Sequence, residues 1–255
     1  MIRPILLALL IPVAALAADI PLAERRSGYD FMSAGTQEMQ REDALNPGML
    51  WVAEGEALWS EAPSASAKSC AGCHGDAAAS MRGVATRYPA FDDRTQKPVD
   101  LSQRINACRE THQQQPGYPA ESRPLLGLAA YIGFQSRGLR VTPPDDPRLR
   151  EARARGQALF STPMGQLSFS CAQCHDDNWG KKLAGSPIPQ AHPTGYPIYR
   201  LEWQSMGSLQ RRLRNCMTGV RAEPFSYGAT ELVELELYLN GRAAGMAVET
   251  PGVRP

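Results

Sequence analysis

The chain has almost no net charge: 27 Lys and Arg stand against 26 Asp and Glu, a formal balance of +1 over 255 residues. That neutrality argues against nucleic acid or a membrane surface as a partner, since both call for a basic face. Aromatic residues are scarce, at 7%. No segment sustains the apolar–polar alternation of a strand, so the expected class is all-α. Beyond the first residues no apolar run is long enough to span a bilayer. Glycine and proline, by contrast, are plentiful at 22 and 21, as in short helices joined by long ordered loops.

The single long apolar run, Ile5 to Leu16, follows a short basic start containing Arg3 and closes on Ala15-Leu16-Ala17. These are the three parts of a secretory signal, with cleavage expected after Ala17 or Ala18. An uncleaved anchor is the rival reading, disfavoured by the shortness of the run. Residues 1–17 are thus expected to be a signal peptide and the mature protein periplasmic, with no membrane span.

Two pentapeptides then stand out, Cys70-Ala-Gly-Cys73-His74 and Cys171-Ala-Gln-Cys174-His175. Cys-x-x-Cys-His is the attachment signature of covalent c-type haem. Its two thiols add across the porphyrin vinyl groups, and the histidine gives an imidazole nitrogen to iron. A thioredoxin-like dithiol would need a βαβ context that neither flank shows. A zinc ribbon would use both pairs together, yet they lie 101 positions apart and each carries its own histidine. Two covalent haem c groups are the expectation, on Cys70, Cys73, Cys171 and Cys174, with His74 and His175 on the irons. Export agrees, because c-type haem is attached outside the cytoplasm.

Overlaying the two motifs at an offset of 101 also places Gly55 on Gly156, Leu58 on Leu159 and Trp59 on Phe160. Downstream, an offset of 108 aligns Leu101, Arg104, Ile105 and Cys108 with Leu209, Arg212, Leu213 and Cys216, and one of 107 aligns Leu125, Leu128, Tyr131 and Ile132 with Leu232, Leu235, Tyr238 and Leu239. The same order therefore occurs twice: helix, haem motif, loop, short helix bearing a cysteine, closing helix. The fold expected is two tandem duplicated cytochrome c-like domains, each wrapped round one haem. Residues 18–45 form an N-terminal extension that wraps the surface or meets a partner. Domains span 46–140 and 148–255, separated by a stiff polar linker at 141–147 that holds three prolines.

Cys108 and Cys216 remain, at equivalent places in the repeat. A disulfide is one reading, since the protein is exported, but equivalent positions in separate domains usually lie farther apart than a bridge allows. Each follows its haem histidine by 34 or 41 residues, where a small cytochrome brings its distal ligand across the pocket. A thiolate there would ligate iron and lower its potential. Met217 is the rival beside Cys216, but the first copy has Arg109 at that position, and only the cysteine is common to both. Arg104 and Arg212 each precede the cysteine by four residues, on the same helix face. For Arg211 and Arg214 a solvated basic helix is the better reading; Arg212 can instead sit beside a thiolate and hold a small oxyanion. His112 and His192 read as surface or loop residues.

The stretch His192-Pro-Thr-Gly-Tyr-Pro-Ile-Tyr-Arg-Leu-Glu-Trp-Gln-Ser-Met-Gly-Ser-Leu-Gln-Arg-Arg-Leu-Arg-Asn-Cys216, continuing through Phe225, resembles the SoxA family of the SoxAX cytochromes of bacterial sulfur oxidation, in its dihaem type. The resemblance implies an L-cysteine S-thiosulfotransferase that couples thiosulfate oxidatively to a cysteine of a SoxYZ-like sulfur carrier. A SoxX-like monohaem cytochrome c subunit would complete it and take the electrons. It further implies His175 and Cys216 as ligands of the active-site haem, with Cys216 found as a persulfide, and Arg212 as the active-site arginine. His74 and Cys108 would ligate the other iron. Two rival readings remain at this stage: a dihaem thiosulfate dehydrogenase forming tetrathionate, and a plain electron carrier with no substrate chemistry.

Overall fold

The computed structural model describes residues 20–255; the expected signal sequence lies outside them. The N-terminal segment carries helix α1 (Ala34–Arg41). The first half then runs α2 (Met49–Ser60), α3 (Cys70–His74), α4 (Ala77–Ser80), a hairpin of β1 (Ala90–Asp92) and β2 (Lys97–Val99), α5 (Leu101–Cys108) and α6 (Arg123–Phe134). The second half repeats this order with α7 (Arg150–Ser161), α8 (Cys171–His175), a small hairpin of β3 (Lys182–Leu183) and β4 (Ser186–Pro187), then β5 (Ile198–Arg200), β6 (Ser205–Gly207), α9 (Leu209–Gly219) and α10 (Thr230–Arg242), closing on β7 (Gly252–Arg254).

The glycines that the repeat aligned have a packing reason. Helix α2 crosses α6 so closely that a Cβ on Gly55 would be driven into the backbone carbonyl of Gly127 and against Tyr131. In the second half α7 crosses α10 in the same way, and a Cβ on Gly156 would collide with the carbonyl of Glu234 and with Tyr238. Only a residue without a side chain permits that approach. Around the first crossing Trp51, Trp59, Leu125 and Leu128 build one core; around the second, Phe160, Leu232, Leu235 and Leu239 build another. Burial of each large side chain contributes about 1.5–3 kcal/mol.

The helices that follow the haem motifs are capped in the same register. Asp100 accepts from the Gln103 amide at 2.7 Å while the Gln103 side chain accepts from the Asp100 amide at 3.0 Å, starting α5. Ser208, at the equivalent place, accepts from the Arg211 amide at 3.1 Å and starts α9.

The class is more mixed than all-α. β1 and β2 pair antiparallel, and β5 is the middle of a three-stranded sheet, antiparallel to β6 (Ile198 opposite Gly207) and parallel to β7 (Ile198 opposite Gly252). Strands of two or three residues are too short to show alternation, which is why the sequence pattern is silent about them. This sheet joins the halves: Met206 of β6 lies in the first core, and the Tyr199 ring stands edge-on to Trp51 at 5.7 Å.

The N-terminal segment wraps onto the chain's own C-terminus. Gln40 accepts from the Val253 amide at 2.9 Å, and Asn46 donates to the Pro251 carbonyl at 2.9 Å. Val141, at the start of the proline-rich segment, is buried against Ala243 and Val248. No helix among the described residues is long and apolar enough to cross a membrane.

Candidate active site

Each haem motif forms one short helix fixed at its start by a serine. Ser69 accepts from the Gly72 amide at 2.9 Å. Ser170 accepts from the Gln173 amide at 3.2 Å and Gln173 returns the bond to the Ser170 amide at 2.8 Å. Helical pitch sets the two cysteines of each motif on one face and brings the histidine round beside the first. His74 packs against the Trp59 ring, centroids 5.7 Å apart, and Trp59 donates its indole N–H to the Gly75 carbonyl at 3.1 Å.

His175 is held more firmly. Its Nδ1 lies 2.6 Å from the Pro189 carbonyl oxygen, so Nδ1 donates and Nε2 is left as the free lone pair, as a metal-bound imidazole requires. Behind it Arg242 pairs with Asp176 at 2.6 Å, both side chains nearly buried, and donates to the Gln190 carbonyl at 3.3 Å. The loop carrying Pro189 is thereby tied to α10.

Cys216 of α9 stands beside the His175 imidazole in the same pocket. Burial alone would raise this thiol, but the neighbouring His175, Arg212 and Arg200 side chains outweigh it, and the thiol lies below its usual value. It is the exception. Burial pushes Cys171 up to about 12 and also raises Cys70, Cys108 and Cys174. Met217 turns away into the second core, 3% exposed, because adjacent helical residues point about 100° apart. Cys108 lies within electrostatic reach of Cys70 and Cys73, in the other half from Cys216, and all six cysteines are free thiols.

Arg212, one turn before Cys216, keeps its charge: burial opposes it, but the Cys216 and Tyr196 side chains beside it raise it. Arg211 and Arg214 are diverted elsewhere. Arg211 stacks over Trp203 at 4.2 Å; Arg214 lies over Tyr227 at 4.5 Å and donates to the Phe225 carbonyl. His112 is exposed, and His192 lies in a loop, though a buried one. It is 8% exposed, bonded through Nδ1 to the Arg26 carbonyl at 2.8 Å, and burial, with neighbouring positive charge, lowers it to about 4. Tyr196 and Arg200 were not singled out by the sequence reading, although the offset of 108 extends back to place Tyr88-Pro89 on Tyr196-Pro197.

The donor set fits a porphyrin-bound iron. The second half sets one imidazole nitrogen against one sulfur, with two further thiols on the adjoining helical turn. A haem there would be attached through Cys171 and Cys174, with His175 and Cys216 available to its iron.

Residues 54–141 and 155–248 match the family described as SoxA/TsdA, cytochrome c domain. The chain is 36% identical to the L-cysteine S-thiosulfotransferase subunit SoxA of Pseudaminobacter salicylatoxidans, covering 94% of this chain and 85% of that one. It is also 36% identical to the subunit of the same name from Allochromatium vinosum, over 92% and 84% of the two chains. The crystal structure of SoxXA from P. pantotrophus superposes with a TM-score of 0.87 at 32% identity, over 91% of this chain and 87% of that one. Likeness of this extent, carried through both halves of a chain that builds one helix crossing twice, means that the protein belongs to the SoxA family, whose cytochrome c domains carry covalent haem.

Proposed function

We propose that this protein is an L-cysteine S-thiosulfotransferase subunit, joining thiosulfate oxidatively to a cysteine thiol of a SoxYZ-like sulfur carrier. The observation that carries the reading is the pairing of Cys216 with His175, with the Arg212 guanidinium one helical turn away. Two haem c groups are held, one by Cys70, Cys73, His74 and Cys108, the other by Cys171, Cys174, His175 and Cys216. Each belongs to one domain, 46–140 or 148–255, with 141–147 between them. The mature chain works in the periplasm after loss of residues 1–17. Likeness to the SoxXA crystal structure supports a SoxX-like monohaem cytochrome c as partner, and that subunit would take the electrons.

Carrier thiol and thiosulfate dianion combine with formation of one S–S bond; a proton leaves the thiol and two electrons pass to the cytochromes. When bound, haem supplies the one-electron acceptor that no side chain can provide. The chain's own residues do the rest. Pro189 fixes the His175 ring, Arg212 orients the dianion and stabilises its charge, and Cys216 presents sulfur to the terminal sulfur of thiosulfate. Cys108, whose neighbouring Arg104 is already paired with Asp92, tunes its haem only.

Incubating the oxidised holo complex with thiosulfate, with and without the carrier, tests this reading. A thiosulfonate on the carrier cysteine, detected by intact mass, is the expected product. Tetrathionate formed equally well without the carrier would point to a thiosulfate dehydrogenase instead.

A further inference from the structure

The offset that lays Cys108 on Cys216 holds well upstream. It superposes β1 and β2 on β5 and β6, residue for residue, with the same pairing: Asp92 faces Lys97 and Arg200 faces Ser205. Within that match two positions reverse their charge: Arg94 becomes Glu202 on the rim, and the second bears on the cysteine pocket. Asp92 of the first half becomes Arg200 of the second, while the arginine one turn before each cysteine, Arg104 or Arg212, is kept.

The consequence is local and large. In the first half Asp92 is 6% exposed, accepts from the Thr95 amide and hydroxyl at 3.0 and 2.7 Å, and pairs with Arg104 at 3.0 Å. The cation beside Cys108 is thus neutralised by protein. In the second half Trp203 replaces Thr95, and Arg200 lies 5.2 Å from its ring centroid. The Arg200 side chain is 14% exposed; its Nε faces the half-exposed Glu202 at 2.8 Å, on the rim. Neither of its Nη groups, nor the guanidinium of Arg212, makes a hydrogen bond among the described residues. Both guanidiniums lie within electrostatic reach of each other and of Cys216. The two desolvated cations share one half-exposed carboxylate, Glu202, and still repel each other; a bound dianion relieves that repulsion.

We infer that Arg200 is a second anion-holding residue, which with Arg212 grips the three sulfonate oxygens of thiosulfate and turns its terminal sulfur toward Cys216. The inference rests on the thiosulfotransferase reading and deepens it. A planar, five-donor guanidinium suits an oxyanion, and two of them match the formal charge of thiosulfate. The first half cannot do this, because Asp92 occupies the place of the second cation. The charge reversal therefore assigns the substrate to one haem of the two.

Arg200→Gln and Arg200→Lys, assembled as the holo complex with the cytochrome partner, provide the test. Sulfate, a dianion that cannot react, is the binding probe. Loss of one charged hydrogen-bonding partner is expected to raise the thiosulfate KM about tenfold or more in Arg200→Gln, with the competitive inhibition constant for sulfate rising in parallel. Arg200→Lys should recover part of both. A purely structural role would not move the sulfate constant and the KM together. An unchanged KM and sulfate constant, with only the active-site haem potential altered, would overturn the proposal and give Arg200 a haem propionate as its partner. If the unsubstituted complex binds sulfate, and loses it on Arg200→Gln, yet makes no carrier conjugate, the anion site stands and the thiosulfotransferase reading fails.

Discussion

The Nδ1 of His175 donates to the Pro189 carbonyl at 2.6 Å, and the loop that presents this carbonyl is anchored through Gln190 to Arg242, itself paired with the buried Asp176. Orientation of the His175 ring thus depends on an ion pair two layers behind it. Arg242 also covers the Phe160 ring at 4.7 Å.

Removing Arg242 while leaving Asp176 strands a buried carboxylate. Arg242→Met is expected to destabilise the protein by about 3–5 kcal/mol, and pairing it with Asp176→Leu to recover much of that loss. Denaturant unfolding of the single and double variants checks this. The single variant should also perturb the imidazole signature of the second haem, because the Pro189 loop loses its anchor.

Gly55→Ala and Gly156→Ala insert a methyl where a carbonyl already sits. Overpacking of this kind typically costs about 1–3 kcal/mol, and more is expected here because the obstacle is backbone. Both variants should melt earlier. Gly156→Ala should also slow thiosulfate conjugation, since α7 packs on α8 and α10 on α9, which carry His175 and Cys216, whereas Gly55→Ala should leave turnover of the folded fraction near normal.

A pH dependence follows from Asp100 and Glu236, which face each other across the junction of the halves, with Gln210 donating to Asp100 at 2.8 Å. Burial raises Asp100 to about 6 and Glu236 well above the carboxylate range, the charge of Asp100 adding to the latter. Because the folded values lie above the unfolded ones, their contribution is fully present below about pH 4 and is lost as pH rises, through about 6 in the case of Asp100. Glu236→Gln should therefore gain stability at pH 7 relative to the natural chain and show a flatter profile between pH 4 and 7. Urea midpoints across that range decide it.

Arg212 and Arg104 occupy equivalent positions but face different partners. Arg212→Gln is expected to lower kcat/KM for thiosulfate by about 10²–10³, the usual loss of one charge-stabilising donor. Arg104→Gln should leave those kinetics alone and reduce stability, because buried Asp92 loses its ion pair. Steady-state kinetics and unfolding, measured on both, separate the two roles.

The sequence announces what is chemically singular. Cys-x-x-Cys-His at Cys70 and Cys171, the cysteines repeated at 108 and 216, and the glycines at 55 and 156 each answer to a fixed geometric demand, so their spacing alone locates them. What it hides is short or non-local. β5 has three residues, too few for a period, and its neighbour β7 arrives from the far C-terminus. Gln40 meets Val253 across 213 positions, a pairing set by tertiary packing. His192, polar and in a loop, reads as exposed until Arg26 is seen to accept its ring N–H. Arg200 was hidden for another reason: it differs between the repeats, whereas the repeat draws the eye to what is shared.

The central claim is that Cys216 is the reacting sulfur, and substituting it tests that claim most directly. Cys216→Ala, purified as the holo complex with both haems still attached, is to be incubated with thiosulfate and the carrier, and the carrier weighed intact. The account predicts no thiosulfonate on the carrier, while Cys108→Ala still forms it. Conjugate formation at a substantial rate in Cys216→Ala would contradict it.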